Sequence, residues 1–288
     1  MNPSYATANM KFRNRREAGR ELAKLLTRYE KQPGVVVLGV PSGGMPVAYE
    51  VAQALRASLD VFIVRKLPVP RNPDLVMGAI TAGGLRVLNR NVVESLGISD
   101  EAIAEATQRE LKELARLEAV YREGTRPADV SARTVIVVSD AVETGATMRA
   151  ALKALRLRGA RRVVLATPVA ALEAAAQLRV EADALVATLA PGDFRRVGHW
   201  YMDFPPVTET EVRHLLIEGR LLGNRTGTLA PFAGSETKPP SSVQPPVPES
   251  TRTRSPMRLV LPASANPVSR PPVSPPQSGS KTGPLSGR

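Results

Sequence analysis

The residues best placed to do chemistry lie between positions 135 and 148. Val135-Ile136-Val137-Val138 is a short, uninterrupted β-branched run of the kind that builds a strand buried on both faces. Ser139, Asp140, Ala141, Val142, Glu143, Thr144, Gly145, Ala146 and Thr147 follow it, ahead of an alanine-rich stretch that reads as a helix. In open α/β sheets ligands bind at the carboxyl ends of the strands, which is where these residues fall. Thr144-Gly145-Ala146-Thr147 offers two hydroxyls, small residues that allow close approach, and the unpaired amides of a helix N-terminus, a set suited to a phosphate dianion. The helix dipole adds about 0.3–1 kcal/mol, less than the charge-assisted hydrogen bonds. Asp140 and Glu143 would repel a phosphate, so a sugar hydroxyl or a magnesium ion is the better partner for them. A sugar phosphate meets both demands. A purely structural role, with the acids capping the helix and Thr147 in a turn, is the competing reading.

This stretch, an apolar strand followed by acids and a Thr-Gly-x-Thr turn, resembles the phosphoribosyl-pyrophosphate signature of type I phosphoribosyltransferases. Val37-Leu38-Gly39-Val40-Pro41-Ser42-Gly43-Gly44 is similar to that family's pyrophosphate-binding loop, and Val64-Arg65-Lys66 to the basic end of its next strand. The resemblance covers roughly residues 11–216, most closely the group of uncharacterised bacterial phosphoribosyltransferase-domain proteins. It implies an enzyme of nucleotide metabolism, a pentosyl (glycosyl) transferase. Such an enzyme moves 5-phosphoribosyl from phosphoribosyl pyrophosphate to an acceptor such as a nucleobase and releases pyrophosphate. The resemblance places Ala141, Val142, Glu143, Thr144, Gly145, Ala146 and Thr147 around the 5-phosphate and Ser139 and Asp140 at the ribose hydroxyls. Ser42, Gly43, Gly44, Arg65 and Lys66, with Mg²⁺ as cofactor, go to the pyrophosphate. Asp140 is the implied metal contact, Asp140 and Glu143 the implied catalytic pair, and Glu143 the proton acceptor. Trp200 and Tyr201, after the last core strand, fall where purine-type relatives line the acceptor, although aromatics there could equally pack the core. Relatives are often dimers, so a homodimer is compatible with the resemblance.

Two departures stand out. Ser139 occupies the first position of the usual acidic pair, and Ser42 the position where close relatives carry arginine. A lost charge-assisted contact is worth about 1.5–3 kcal/mol, one or two orders of magnitude in rate. The alternative expectation is therefore a catalytically weakened regulatory domain that binds phosphoribosyl pyrophosphate or a nucleotide.

The elements that must hold these residues alternate between short apolar runs and amphipathic stretches, the pattern of an α/β domain with a parallel sheet flanked by helices. Asn14 with Glu17 forms a capping box for a first helix, and 35–38 is a strand leading to the 39–44 loop. Pro46 opens a helix to about 57, and 61–64 is a second strand. Prolines 68, 70 and 73 argue against regular structure, so 66–89 is expected to be a mobile loop running into a hairpin at 77–88, and the resemblance implies that this loop is the lid. A helix capped by Ser99 spans 100–122, followed by strand 134–138, helix 146–158, strand 162–166, helix 170–180 and strand 184–189. A last helix is capped by Thr208 and Glu211.

This domain is expected to span 11–222. Residues 223–288 are rich in Pro, Ser, Thr and Gly, with scattered Lys and Arg, and read as a disordered basic tail. The formal charge is +12 and the pI about 10.5, which suits an anionic partner without selecting one. Much of that charge lies in the tail, so weak nucleic-acid contact there is compatible with the composition. The absence of cysteine removes disulfides and thiolate metal sites, and the two histidines, His199 and His214, are too few for a histidine-rich metal site. No run approaches the ~18 consecutive apolar residues of a membrane span. Residues 1–11 have no apolar run of the secretory kind, and a cytoplasmic protein is the expectation. Neither Gly-x-Ser-x-Gly nor a Walker lysine occurs.

Overall fold

The computed structural model describes residues 11–225 and 259–260. The apolar runs pair as a six-stranded parallel sheet in the order β2-β1-β6-β7-β8-β9, with β1 at Val35–Gly39, β2 at Ser58–Val61, β6 at Thr134–Val138, β7 at Arg162–Val169, β8 at Ala184–Leu189 and β9 at Leu259–Val260. Because neighbouring side chains of a strand point to opposite faces, the continuous apolar runs feed two cores at once. Val35, Val37, Ile136 and Val138 join one core with helices α1 (Arg15–Lys24), α2 (Gly44–Leu55), α4 (Asp100–Arg122) and α7 (Glu209–Arg225). Val36, Leu38, Val135 and Val137 join the other with α5 (Ala146–Leu157) and α6 (Leu172–Leu178). The expected α/β architecture, a parallel sheet flanked by helices, is what the chain adopts.

From β1 the chain runs outward to β2 on one side, and from β6 outward to β7 and β8 on the other. The strand order therefore reverses between β1 and β6, whose residues pair from Val35↔Thr134 to Gly39↔Val138. A crevice opens at such a switch point, and the two loops singled out above leave the sheet on either side of it.

The caps form as expected. Asn14 Oδ1 accepts from the Glu17 amide at 3.0 Å, Ser99 Oγ from the Ala102 amide at 3.3 Å, and Thr208 Oγ1 from the Glu211 amide at 3.1 Å. Three boundaries change. The second strand is Ser58–Val61, earlier than 61–64, and a short helix α3 (Arg90–Ser95) precedes α4. The last helix continues to Arg225, past the expected domain limit at 222. Of the expected tail, only 223–225 and Leu259–Val260 are described, and the rest lies outside the described residues.

The segment rich in proline is the main correction. Val64–Val69 (β3), Asn72–Thr81 (β4) and Arg86–Leu88 (β5) form a three-stranded antiparallel sheet. Pro68 sits where the β3/β4 register shifts on both sides, so its missing N–H falls at an irregularity. Pro73 lies in the stretch 73–75 that has no register partner, between the Val69↔Asn72 and Pro68↔Val76 pairs and short of the Gly78–Ile80 pairing with β5. The hairpin expected around 82–84 is present, and Gly83 and Gly84 take φ of +91° and +79° in its turn.

Candidate functional site

At the carboxyl end of β6 the chain turns through Ser139–Gly145 into α5. Two backbone hydrogen bonds hold the turn against the neighbouring strand, the Val142 amide to the Val169 carbonyl and the Ala171 amide to the Val142 carbonyl, both at 2.8 Å. Gly145 takes φ +77° as the residue before the helix, a conformation that penalises other residues. Among the described residues no side chain caps α5, so the amides of its first turn remain available at the mouth of the crevice. Glu143 and Thr144 are exposed and Thr147 half-buried, and none of the three side chains makes a hydrogen bond or ion pair to a described residue.

The second loop, Pro41-Ser42-Gly43, leaves β1 for α2 through a cis Pro41–Ser42 peptide. Both glycines are required by close approach. A Cβ on Gly43 would lie 1.9 Å from Asp140 Oδ2, and one on Gly44 would lie 2.7 Å from the Val138 carbonyl oxygen. The two loops thus touch, and the site residues predicted on them, Ser42, Gly43, Gly44 and Ser139–Thr147, come together at the switch point.

Asp140 is gripped from two sides. Its carboxylate accepts from Arg15 Nε at 2.9 Å, an ion pair with both side chains largely buried. Its carbonyl accepts from the Tyr201 hydroxyl at 2.6 Å. Burial, with the Asp140 charge second and opposed by Arg15, pushes the Tyr201 phenol well above its ordinary pKa of 10.0. Arg15 also donates from Nη1 to the Pro205 carbonyl at 2.8 Å and lies 3.7 Å above the Phe204 ring. Ser139, buried, donates its hydroxyl to the Ala141 carbonyl at 2.9 Å. Arg15 was missed by sequence reasoning. One signal was available: a cation in the first turn of a helix opposes the dipole and calls for a compensating partner.

Four other predicted residues lie outside these two loops. Arg65 Nε donates to Glu110 of α4 at 2.9 Å, so its charge is committed to that helix, whereas its neighbour Lys66 is exposed. Trp200 and Tyr201 are buried in a third core cluster with Phe12, Ala18, Val169 and Leu189, which makes them packing residues instead of a stacking surface. The hood-like segment does reach the site, through the Tyr201 hydroxyl and Phe204, whose ring stacks on Tyr201 with centroids 4.9 Å apart.

Asp140 Oδ2 carries the Arg15 guanidinium, Oδ1 meets no described residue by hydrogen bond or ion pair, and among the described residues no cluster of three His, Asp or Glu side chains is arranged to hold a metal.

The phosphoribosyl transferase domain family matches residues 11–190, a span that contains both loops. The chain belongs to this family. Two Mycobacterium tuberculosis proteins, each named as a phosphoribosyl transferase, Rv0571c and MT0597, are 40% identical to it over 201 residues. That alignment covers 70% of this chain and 45% of each relative, so the chain spans less than half the length of the curated relatives it matches. The crystal structure of TT1426 from Thermus thermophilus is similar with 40% identity and a TM-score of 0.63, over 73% of this chain and 99% of that one. Among the described residues no helix is long and apolar enough to cross a membrane.

Proposed function

We propose that this phosphoribosyltransferase-family domain transfers the 5-phosphoribosyl group from phosphoribosyl pyrophosphate to an acceptor of the nucleobase type, with release of pyrophosphate. One observation carries the reading: the Gly43 backbone lies against the Asp140 carboxylate, so a phosphate cradle and a glycine loop share one crevice at the sheet's switch point. A ligand with a phosphate at one end and a second anionic group across a hydroxylated ring spans those two loops.

In this reading the amides of the first α5 turn, with the Thr144 and Thr147 hydroxyls, hold the 5-phosphate. Asp140 accepts from the ribose hydroxyls, and the Gly43 and Gly44 amides with Ser42 and Lys66 face the pyrophosphate. The bond from ribose C1 to the pyrophosphate oxygen breaks and a bond from C1 to the acceptor nitrogen forms. The acceptor's proton passes to Glu143, exposed beside the cradle. Donors fixed before the reaction favour the charge developing on the departing pyrophosphate.

A second reading is favoured by one feature. The Ser139 hydroxyl is spent on the Ala141 carbonyl, leaving Asp140 as the sole acid of the usual pair. A domain so equipped could bind phosphoribosyl pyrophosphate as a regulatory ligand with little turnover. Pyrophosphate release measured in magnesium buffer across a panel of nucleobases, beside calorimetric binding, decides between them. Release with at least one base establishes the transferase, and binding without release under every base establishes the regulatory domain. No binding overturns both.

A further inference from the structure

Arg15 is the buried charged group at this site to which the transfer reaction assigns no role. It is 8% exposed and lies on the first residue of α1, yet it reaches three separate parts of the crevice. Its Nε is 2.9 Å from Asp140 Oδ2 and would be 3.0 Å from a Cβ placed on Gly43, which puts the guanidinium at the contact between the two ligand loops. Its Nη1 holds the Pro205 carbonyl, and its plane lies on Phe204. A buried cation is costly unless its donors are satisfied, and here each partner belongs to the site or to the segment flanking it. Ser42 leaves the glycine loop without a cation of its own, and Asp140 lacks an acidic neighbour that would share its work.

We infer that Arg15 is a positioning residue for the phosphoribosyl pyrophosphate site: through its ion pair with Oδ2 it fixes the Asp140 carboxylate against the glycine loop. The inference rests on the proposed binding of phosphoribosyl pyrophosphate. Lysine supplies the charge but has neither the planar fork that serves Asp140 and Pro205 together nor the flat face that covers Phe204. A change of charge and a change of geometry are therefore separable.

The test is a double-mutant cycle on the full chain, with Arg15→Gln, Asp140→Asn and the pair, read by calorimetric titration with phosphoribosyl pyrophosphate. Thermal unfolding of each variant accompanies it. Arg15→Gln is expected to weaken binding by about tenfold or more, and Arg15→Lys to restore only part of that loss. In the Asp140→Asn background the same Arg15→Gln change is expected to have little further effect, because the partner it acts through is gone. If Arg15→Gln does not fold, the cycle is run with Arg15→Lys. Wild-type affinity in the Arg15 variants overturns the inference and leaves the proposed function standing. An undiminished Arg15 effect in the Asp140→Asn background also overturns it, since Arg15 would then act by another route. Failure of the unsubstituted protein to bind overturns the proposed function and this inference together.

Discussion

The two halves of the β6 loop are built on opposite plans. In the first, Ser139 and Asp140 have their polar groups matched by the protein: the Ser139 hydroxyl by the Ala141 carbonyl, the Asp140 carboxylate by Arg15 and the Asp140 carbonyl by Tyr201. In the second, Glu143, Thr144 and Thr147 extend side chains that meet no described partner, ahead of a helix with no side-chain cap. Buried polar groups need partners, and the first half meets that need internally. The second half meets no such partner among the described residues, so in the proposed function an incoming phosphate takes its hydroxyls without breaking a hydrogen bond to a described residue. In the proposed function the first half sets position and turns Asp140 to the ribose, and the second half receives the phosphate.

The harshest way to break this comparison is to disrupt the positioning half. Gly43→Ala places a methyl 1.9 Å from Asp140 Oδ2 and 2.6 Å from its Cγ, so the carboxylate must leave Arg15 or the loop must retreat. Overpacking costs about 1–3 kcal/mol, and calorimetry should register roughly a hundredfold loss of affinity for phosphoribosyl pyrophosphate. Unchanged affinity would mean the two loops do not serve one ligand.

Thr144→Val with Thr147→Val strips the receiving half instead. Two hydroxyl donors are lost, and ribose 5-phosphate affinity should fall by roughly tenfold. The thermal midpoint should hardly move, because neither hydroxyl has a partner to lose among the described residues. A large fall in midpoint with affinity intact would reverse the assignment of the two halves.

Tyr201→Phe sharpens the positioning side. Removing the hydroxyl that serves the Asp140 carbonyl should cost about 1 kcal/mol near neutral pH and weaken ligand binding about fivefold. The pH dependence carries a sign. The phenol's folded pKa is raised, chiefly by burial, so the unfolded chain gives up that proton first as pH climbs past 10.0. Stability is therefore fully present below pH 10.0 and declines above it, by up to about 1.4 kcal/mol per pH unit for this group. Tyr49 and Tyr121 are shifted the same way, also chiefly by burial, so Tyr201→Phe should flatten the alkaline fall in thermal midpoint without abolishing it. An identical slope in wild type and variant would show that this phenol is not buried as described.

How much of this was readable in advance depends on the range of the forces involved. The strands at Val35–Gly39 and Thr134–Val138 were legible because burial on both faces demands an unbroken apolar run, and the caps at Asn14, Ser99 and Thr208 because capping is settled within three residues. The glycine loop and the Thr-Gly-x-Thr turn were legible for a similar reason, since their chemistry is local. Arg15 was not, because its partner Asp140 is 125 residues away and only the fold joins them. The prolines misled in the opposite sense: a breaker in a central strand is tolerated at a register shift or in an unpaired stretch, and neither is visible before the pairing is known. Trp200 and Tyr201 were expected to line the acceptor, but both side chains are buried in the cluster around Phe12 and Val169, and of the two it is the Tyr201 hydroxyl that reaches Asp140.

The smallest effects separate two neighbours on β3. Arg65 and Lys66 are consecutive in a strand, so their side chains leave opposite faces. The Arg65 charge is used by Glu110 on α4, while Lys66 is exposed and makes no hydrogen bond or ion pair to a described residue. If Lys66 faces the pyrophosphate, Lys66→Gln removes one solvent-screened charge and weakens phosphoribosyl pyrophosphate binding about two- to fivefold, more at low salt than at high. Arg65→Gln should leave that affinity and its salt dependence unchanged and show itself only as a small loss of thermal stability, from the broken link to α4. The opposite pattern, Arg65→Gln lowering affinity while Lys66→Gln does nothing, would require the hairpin to present the Arg65 face to the ligand, at the expense of its ion pair with Glu110.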